Sequence, residues 1–178
     1  AAIASGTVEA CLHPLHPRAG DCVFIPAGTV HALGAGLLVA EIQQASNTTF
    51  RLFDWNRVGA DGKSRPLHVE QALEVIDFSS GPREFQVPQA TSQPGRERLV
   101  ACDKFIFDRL VGQAAATVAG DGRFHYVTAP RGQVVLSSDA GWREELRAGE
   151  SVLLPAVSPR LDVSLAGDGV LLDMYLPN

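Results

Sequence analysis

A turn–strand–turn motif near the start of the chain sets the strongest limit on its fold. Residues 20–28 read Gly-Asp, four strand-forming residues and Pro-x-Gly, and His31 follows three positions later. Gly tolerates positive φ and Asp bonds its own backbone, so Gly-Asp favours a tight turn into a strand. Pro-x-Gly ends a strand and reverses the chain. The motif therefore predicts antiparallel β-structure, with an imidazole that opens the next strand.

The same pattern returns once, near the end of the chain. Residues 149–156 read Gly-Glu-Ser-Val-Leu-Leu-Pro-Ala and match residues 20–27 in spacing. The second copy has Arg160 at the position that His31 occupies in the first. This repeat predicts two related β units, of which only the first keeps the histidine.

The rest of the pattern predicts a mostly β chain in two domains. Strands are expected over residues 20–55, and apolar residues at helical spacing predict a helix over about 65–77. A polar, Pro-containing segment over 81–98 is interpreted as a linker between a domain at 1–80 and a β domain at 99–178. The strands predicted in the second domain are 104–110, 122–128, 133–137, 150–154, 161–165 and 170–175.

Composition excludes several classes of function. The formal net charge of −5 argues against nucleic acid as the main partner, because binding to phosphates needs a basic surface. The sequence has no apolar run of the roughly 18 residues that a membrane span needs. The three cysteines are widely spaced, which argues against a disulfide framework and against a zinc site made of cysteines. Proteins without disulfides are typical of a reducing compartment, so we expect a cytoplasmic protein.

Three residues at intervals of ten could carry chemistry: His31, Glu41 and Arg51. Glu41 shares one face of an alternating segment, 36–44, with apolar residues, and Arg51 is expected on the next strand. Burial of an unpaired charge costs several kcal/mol, so this face either lines a wet pocket or its charges pair with each other. An imidazole that binds Zn²⁺, a carboxylate that moves a proton and a guanidinium that holds an oxyanion suit an aldose–ketose isomerisation.

The chain resembles a known family in three stretches. They are Pro-Ala-Gly-Thr-Val-His-Ala-Leu-Gly at 26–34, Glu-Ile-Gln-Gln-Ala-Ser-Asn-Thr-Thr-Phe-Arg-Leu-Phe-Asp-Trp at 41–55, and Arg-Pro-Leu-His at 65–68. These runs resemble the type I mannose-6-phosphate isomerases of the cupin superfamily. The resemblance implies part of a cupin-type jelly-roll barrel, a short helix and a second, smaller cupin-like β domain.

The same resemblance implies an activity and a site. It implies interconversion of mannose 6-phosphate and fructose 6-phosphate through a cis-enediol, with one Zn²⁺ in each intact active site. His31 matches the last zinc ligand of the family and Arg51 its active-site arginine. Glu41 falls where the family has an acidic active-site residue. The expected partner is thus a small sugar phosphate, and the oligomeric state stays open.

One departure from the family pattern is large. The Gln-x-His motif and the glutamate that supply the other zinc ligands precede the matching region in the family, and neither is present here. The chain begins Ala1 and its single methionine is Met174, so we expect the C-terminal portion of a longer enzyme, inactive alone. A non-catalytic cupin module that binds sugars or partners, and a metal-dependent cupin of another class such as a dioxygenase, are the alternatives.

The remaining histidines are predicted to be structural. His68 is interpreted as a residue at a helix end or in packing. His13, His16 and His125 are interpreted as surface or loop residues.

Overall fold

The computed structural model describes residues 2–46, 48–113 and 115–177, which divide into two compact units. The first unit comprises residues up to 39 and from 45 to 85, and the second comprises 40–44 and the chain from 86 onward. The fold is mostly β and almost all of its regular β-structure lies in the second unit. No helix among the described residues is long and apolar enough to cross a bilayer.

The first unit holds the helices, all of them short. Helix α1 spans Ala2–Ser5, a 3₁₀ helix spans Val8–Cys11, and helix α2 spans Val69–Val75. Helix α2 lies within the segment 65–77 for which the apolar spacing predicts a helix, and Ala72 is its buried residue. His68 occupies the N-cap position, as expected of a residue at a helix end.

The Pro-x-Gly sequence forms the reversal that it predicts. The Thr29 N–H donates to the Pro26 carbonyl over 3.2 Å, and Gly28 has φ of +83°, which together describe a type II β-turn. The Gly28 carbonyl accepts a hydrogen bond from the Asp77 N–H at 3.0 Å. A Cβ at Gly28 would lie 2.8 Å from the Val75 carbonyl oxygen, so only glycine lets the turn pack against the end of α2.

The strands predicted over 20–55 are not formed in the described residues. The β-contact found in the described part of that segment is an isolated bridge between Val23 and Phe85. Alternation of apolar and polar residues shows which side chains can share a face, but a strand also needs a neighbouring segment that pairs with its backbone. His31 consequently lies in irregular chain after the turn and does not open a strand.

The second unit is an antiparallel sheet of eight strands. Its path runs β1-β2-β3-β8-β5-β6, and β4 pairs with β8 while β7 pairs with β5. The strands are β1 Gln89–Ala90, β2 Arg96–Ala101, β3 Ile106–Val111, β4 Ala116–Val118, β5 His125–Ser137, β6 Arg143–Arg147, β7 Ser151–Leu154 and β8 Leu161–Tyr175.

The two long central strands bend where their pairing register shifts. In β5 the buried residues fall on odd positions before the bend, as at Val127, and on even positions after it, as at Leu136. An irregularity between Thr128 and Gln133 changes this parity and keeps both halves facing the core. Gly132 makes the bend possible, because a Cβ there would lie 2.6 Å from the Cα of Gly169.

The core of the second unit lies between the two halves of the bent sheet. Its side chains are aliphatic and almost wholly buried, and they come from strands β3 to β8, with both halves of β5 and β8 contributing. They are Leu110, Ala116, Val118, Val127, Ala129, Val134, Leu136, Leu146, Leu154, Leu161, Val163 and Leu171.

Most strands predicted in the second unit are found, with two instructive differences. The segment 133–137 and residues 125–128 of the segment 122–128 belong to one strand, β5, and the segments 161–165 and 170–175 both belong to β8. First, strand β2 begins at Arg96, inside the segment interpreted as a linker. Second, β6 was not predicted, and it is an edge strand rich in exposed charges. Charged residues are common on edge strands because they discourage pairing with other chains, and they hide the strand pattern. The domain boundaries at 80 and 98 stay predictions.

Candidate functional site

His31 is exposed in the first unit and has a defined ring orientation. Its Nδ1 lies 2.9 Å from the Thr29 carbonyl oxygen. Since a carbonyl oxygen only accepts, Nδ1 carries the proton in this contact, and in the neutral ring the Nε2 lone pair is left available. Metal-bound histidines in proteins commonly donate their second ring N–H in this way.

Arg51 is held in place by its backbone. The Arg51 N–H donates to Nδ1 of His68 at 3.2 Å, and the His68 N–H donates to the Arg51 carbonyl at 2.8 Å. Arg51 as a whole is partly buried, and its guanidinium donates through Nη1 to the Pro66 carbonyl at 3.3 Å. His68 packs against Phe50 with ring centroids 6.3 Å apart. His68, at the N-cap position of α2, thus also fixes the position of Arg51.

Two other arginines of the first unit have a different role. Arg57 and Arg65 both donate to the buried carboxylate of Asp54, with the Arg65 Nε–Oδ2 distance at 2.8 Å. The hydrogen bonds from Arg65 and then Arg57 hold the pKa of Asp54 well below its usual range. Within the described residues of this unit, Arg51 makes no such ion pair, so its charge is not neutralised by a carboxylate there.

Glu41 is exposed and belongs to the segment 40–44, which groups with the second unit. The structure therefore groups His31 and Arg51 in one unit and Glu41 in the other. Among residues 2–46, 48–113 and 115–177, no cluster of three His, Cys, Asp or Glu side chains has the geometry of a metal site. A catalytic zinc ion needs about three protein ligands, so the described residues do not by themselves fit a zinc site.

The most extensive polar cluster lies in the second unit and centres on Arg96, which is 7% exposed. Its Nη1 donates to Asp108 and to Asp173 at 2.9 Å each, and its Nη2 donates to the Thr117 carbonyl at 2.7 Å. Both carboxylates are wholly buried. Burial opposes the charge of Arg96, but attraction by Asp173 and Asp108 leaves its pKa raised.

Tyr175 and Arg98 complete the partners of Asp108. The Tyr175 hydroxyl donates to Asp108 Oδ2 at 2.8 Å, and Arg98 donates both to Asp108 and, at 3.1 Å, to the Tyr175 oxygen. Burial, followed by the hydrogen bond to Asp108, raises the pKa of Tyr175 to about 12. The phenol therefore stays protonated and serves as a donor.

His125 is buried beside this cluster and is bonded at both ring nitrogens. Nδ1 lies 2.7 Å from Asp173 Oδ1, and Nε2 lies 3.2 Å from Asp121 Oδ1. Carboxylate oxygens accept, so the doubly protonated imidazolium fits both contacts and the neutral ring fits only one. Burial alone lowers the pKa of His125, but the hydrogen bonds and charges of Asp173 and Asp121 outweigh it and raise the pKa.

The cluster forms the floor of a cavity of about 500 Å³ in the second unit. Arg123 lies along its wall, with its guanidinium 4.5 Å from the centre of the Tyr175 ring, and donates to Asp121 through Nε at 2.9 Å. Although partial burial opposes ionisation, the hydrogen bonds from Arg123 lower the pKa of Asp121 to about 2. The cavity is thus lined by arginines, which stay protonated, and by a carboxylate, Asp121, that is ionised near neutral pH.

The prediction that His125 is a surface or loop residue is wrong, since it is 3% exposed and starts strand β5. Neither Arg96 nor Asp173 stood out in the sequence. A faint signal was present for Asp173 alone, because it interrupts the apolar run of residues 170–176, whereas Arg96 begins the charged run Arg-Glu-Arg. An isolated charge within an apolar strand indicates a buried partner, but the partner here is 77 residues away.

Comparison with known proteins places the chain in context. No family model matches it. A mannose-6-phosphate isomerase of Streptococcus mutans is 31% identical over 157 residues, which are 86% of this chain. The chain is homologous to mannose-6-phosphate isomerases. It spans about half the length of two such relatives, 48% of the Streptococcus mutans protein and 49% of a probable mannose-6-phosphate isomerase of Bacillus subtilis.

Solved structures of mannose-6-phosphate isomerases share the fold. The Bacillus subtilis isomerase superposes with a TM-score of 0.62 at 22% identity, over 74% of this chain and 41% of that one. The Salmonella typhimurium isomerase, described as bound to substrate and a zinc atom, superposes with a TM-score of 0.53 at 18% identity. The match covers 65% of this chain and 29% of that one. The predicted fold class, mostly β and of cupin type, is confirmed.

Proposed function

We propose that this chain is part of an aldose–ketose isomerase that interconverts mannose 6-phosphate and fructose 6-phosphate. The observation that carries the proposal is the similarity to mannose-6-phosphate isomerases over 86% of the chain. A sugar phosphate is the substrate on this proposal, and a cytoplasmic location stays a prediction from the cysteine content.

Arg51 is proposed to stabilise negative charge on the enediolate. Its backbone N–H and carbonyl are both bonded to His68, and its guanidinium has a backbone carbonyl as its partner. A cation that is positioned in advance and not paired with a carboxylate can stabilise charge that develops during a reaction. By comparison, Arg57 and Arg65 are both bonded to Asp54 and serve structure.

Glu41 is proposed to move the proton between the two sugar carbons. It is exposed and carries a carboxylate, the group that general base catalysis at an aldose carbon requires. Its assignment rests on the resemblance of the run 41–55 to the family.

His31 is proposed as one metal ligand, since its bond to the Thr29 carbonyl leaves Nε2 available. The zinc ion of the intact enzyme would act as a Lewis acid on the sugar oxygens. Because the described residues do not complete a three-ligand site, we derive no reaction step through the metal. On the proposal, further ligands come from a preceding part of the longer enzyme, and this chain alone is inactive.

The test is a chimera that joins the unmatched N-terminal part of the Bacillus subtilis isomerase to this chain. Isomerisation of mannose 6-phosphate is followed by a coupled assay, with circular dichroism as the measure of folding. Arg51→Ala should lower kcat by about 10²-fold or more, the size of effect seen when one stabilising donor is removed. His31→Ala should lower activity together with zinc content. His16→Ala and Arg131→Ala, which change exposed residues, are the matched controls.

The zinc assignment has a readout that does not depend on activity. Zinc content of the purified chimera, measured by mass spectrometry, should fall in His31→Ala and stay constant in His16→Ala. A folded chimera that neither holds zinc nor isomerises the sugar overturns the proposal and supports the alternative, a non-catalytic cupin module that binds sugars or partners.

A further inference from the structure

The cavity of the second unit is cationic in a chain whose formal net charge is −5. Among its lining residues that the structure describes, Asp121 alone carries a carboxylate. The lining guanidinium groups are Arg96, Arg98, Arg123 and Arg160, and His125 adds a positive charge when its ring is protonated. Asp108 and Asp173 are wholly buried behind this lining, so the cavity itself presents mainly guanidinium groups.

The floor of the cavity has a donor that is not used. Arg96 lines the cavity, and its Nε–H is buried without a hydrogen-bond partner in the described part of the chain. A buried donor that lacks an acceptor costs about 1–3 kcal/mol, more for a charged group. Arg96 also lines the cavity, so an anion bound beside it would offset part of the cost of burying this cation.

Arg160 reaches the cavity through the repeat that the sequence contains. The Ser158 N–H donates to the Pro155 carbonyl at 2.9 Å, which reproduces the bond between Thr29 and Pro26 in the first copy. The position that carries His31 after the first turn therefore carries Arg160 after the second. The first copy thus has a histidine, a residue that can bind metal ions, where the second has an arginine, a residue that binds anions.

The backbone holds Arg160 closely at the cavity wall. Gly120 has φ of +76°, and a Cβ there would lie 2.6 Å from the Arg160 nitrogen. Ala119 next to it also has a positive φ, of 59°. Close packing of these two segments sets where the exposed Arg160 side chain begins.

We propose that this cavity binds a small phosphomonoester. Four arginines and three carboxylates, Asp108, Asp121 and Asp173, leave one positive charge at the cavity, and protonation of His125 adds a second. A phosphomonoester carries about −1.5 to −2 at neutral pH, close to that surplus, and a guanidinium fork matches its oxygens.

The rest of the cavity suits the remainder of such a molecule. Ser92 and Gln93 form another part of the lining and offer a hydroxyl group and an amide N–H₂ to a hydroxylated carbon skeleton. A volume of about 500 Å³ is in the range of small-molecule sites. The lining residues all belong to the second unit, whereas His31 and Arg51 belong to the first.

The test is calorimetric titration of the full chain with inorganic phosphate and with a hexose 6-phosphate, with the free hexose and malate as comparison ligands. Arg160→Ala should weaken binding of both phosphates by about tenfold or more, because it removes charge-assisted hydrogen bonds. Arg143→Ala, an exposed arginine that does not line the cavity, is the matched control and should bind as the parent does. Arg160→Lys should give an intermediate affinity.

The outcomes separate this proposal from the one on function. Binding that survives Arg51→Ala and is weakened by Arg160→Ala places the phosphate in the cavity, whether or not the chimera isomerises sugars. Binding lost in Arg51→Ala but kept in Arg160→Ala overturns the proposal, as does equal loss in Arg143→Ala. Malate that binds as tightly as the phosphates, or no binding of any phosphate, also overturns it.

Discussion

Replacement of Asp173 by asparagine removes one negative charge from the wholly buried cluster under the cavity. The carboxylate accepts from Arg96 at 2.9 Å and from His125 at 2.7 Å. Each hydrogen bond to a charged group contributes about 1.5–3 kcal/mol, and breaking one partner of a buried ion pair costs about 3–5 kcal/mol. Because the asparagine oxygen can still accept one of the two bonds, we expect Asp173→Asn to lower the free energy of unfolding by about 3–5 kcal/mol at pH 6.

The pH dependence of this loss follows from His125, whose pKa is raised above its ordinary 6.5 in the folded protein. A raised pKa means that the folded state binds the proton more tightly than the unfolded state. The stabilisation is therefore fully present below about pH 6.5 and is lost as the pH rises through the folded-state value. Asp173→Asn should flatten this decline, and its cost should be smaller at pH 9.

The assay is urea unfolding followed by circular dichroism between pH 5 and pH 9. Asp162→Asn is the matched control, since Asp162 is on the same strand, β8, and exposed. It should change stability by less than about 0.5 kcal/mol, as surface substitutions usually do. A cost below about 1 kcal/mol for Asp173→Asn, or a pH profile parallel to that of the parent, refutes the reasoning about the buried cluster.

Three further outcomes are expected. In thermal unfolding, Gly28→Ala should destabilise the first unit by about 1–3 kcal/mol more than Gly36→Ala. Both glycines have positive φ, but only at Gly28 would the added Cβ lie 2.8 Å from a carbonyl oxygen. Equal losses of stability would contradict this reasoning. In ultraviolet titration of a Tyr126→Phe variant, the phenol of Tyr175 should ionise at about pH 12, and ionisation near pH 10 would contradict its burial. The lowered pKa of Asp121, about 2, means that its stabilisation is present above pH 3.8 and is lost as the pH falls towards 2. An Asp121→Asn variant should therefore lose less stability over this range, as measured by acid unfolding.

The turn chemistry was predictable because it is local. Pro26 and Gly28 specify a type II turn through their own backbone preferences, and the structure contains that turn with the expected hydrogen bond. The helix at Val69–Val75 and most strands after residue 100 were predictable for the same reason, since periodicity reports which side of a segment is apolar. The absence of strands over 20–55 was not predictable, because periodicity does not say whether a partner segment lies alongside.

The candidate residues of the first unit were chosen from sequence alone, and the structure adds their immediate partners. It shows that His31 is oriented by the Thr29 carbonyl and that Arg51 is anchored to His68, a pair 17 residues apart. Neither contact can be inferred from spacing. Their roles in catalysis stay predictions that the chimera tests.

By itself, the sequence determined the turns, the β-rich class, the repeat and the resemblance to an isomerase family, because each depends on neighbours within a few residues or on a match of residue strings. Only the tertiary structure brought Arg96, Asp108, His125 and Asp173 together from strands β2, β3, β5 and β8. Charges that are isolated along the chain are stable inside a protein only when the fold supplies partners. That pairing, and the cationic cavity above it, is a property of how the strands are arranged in the sheet.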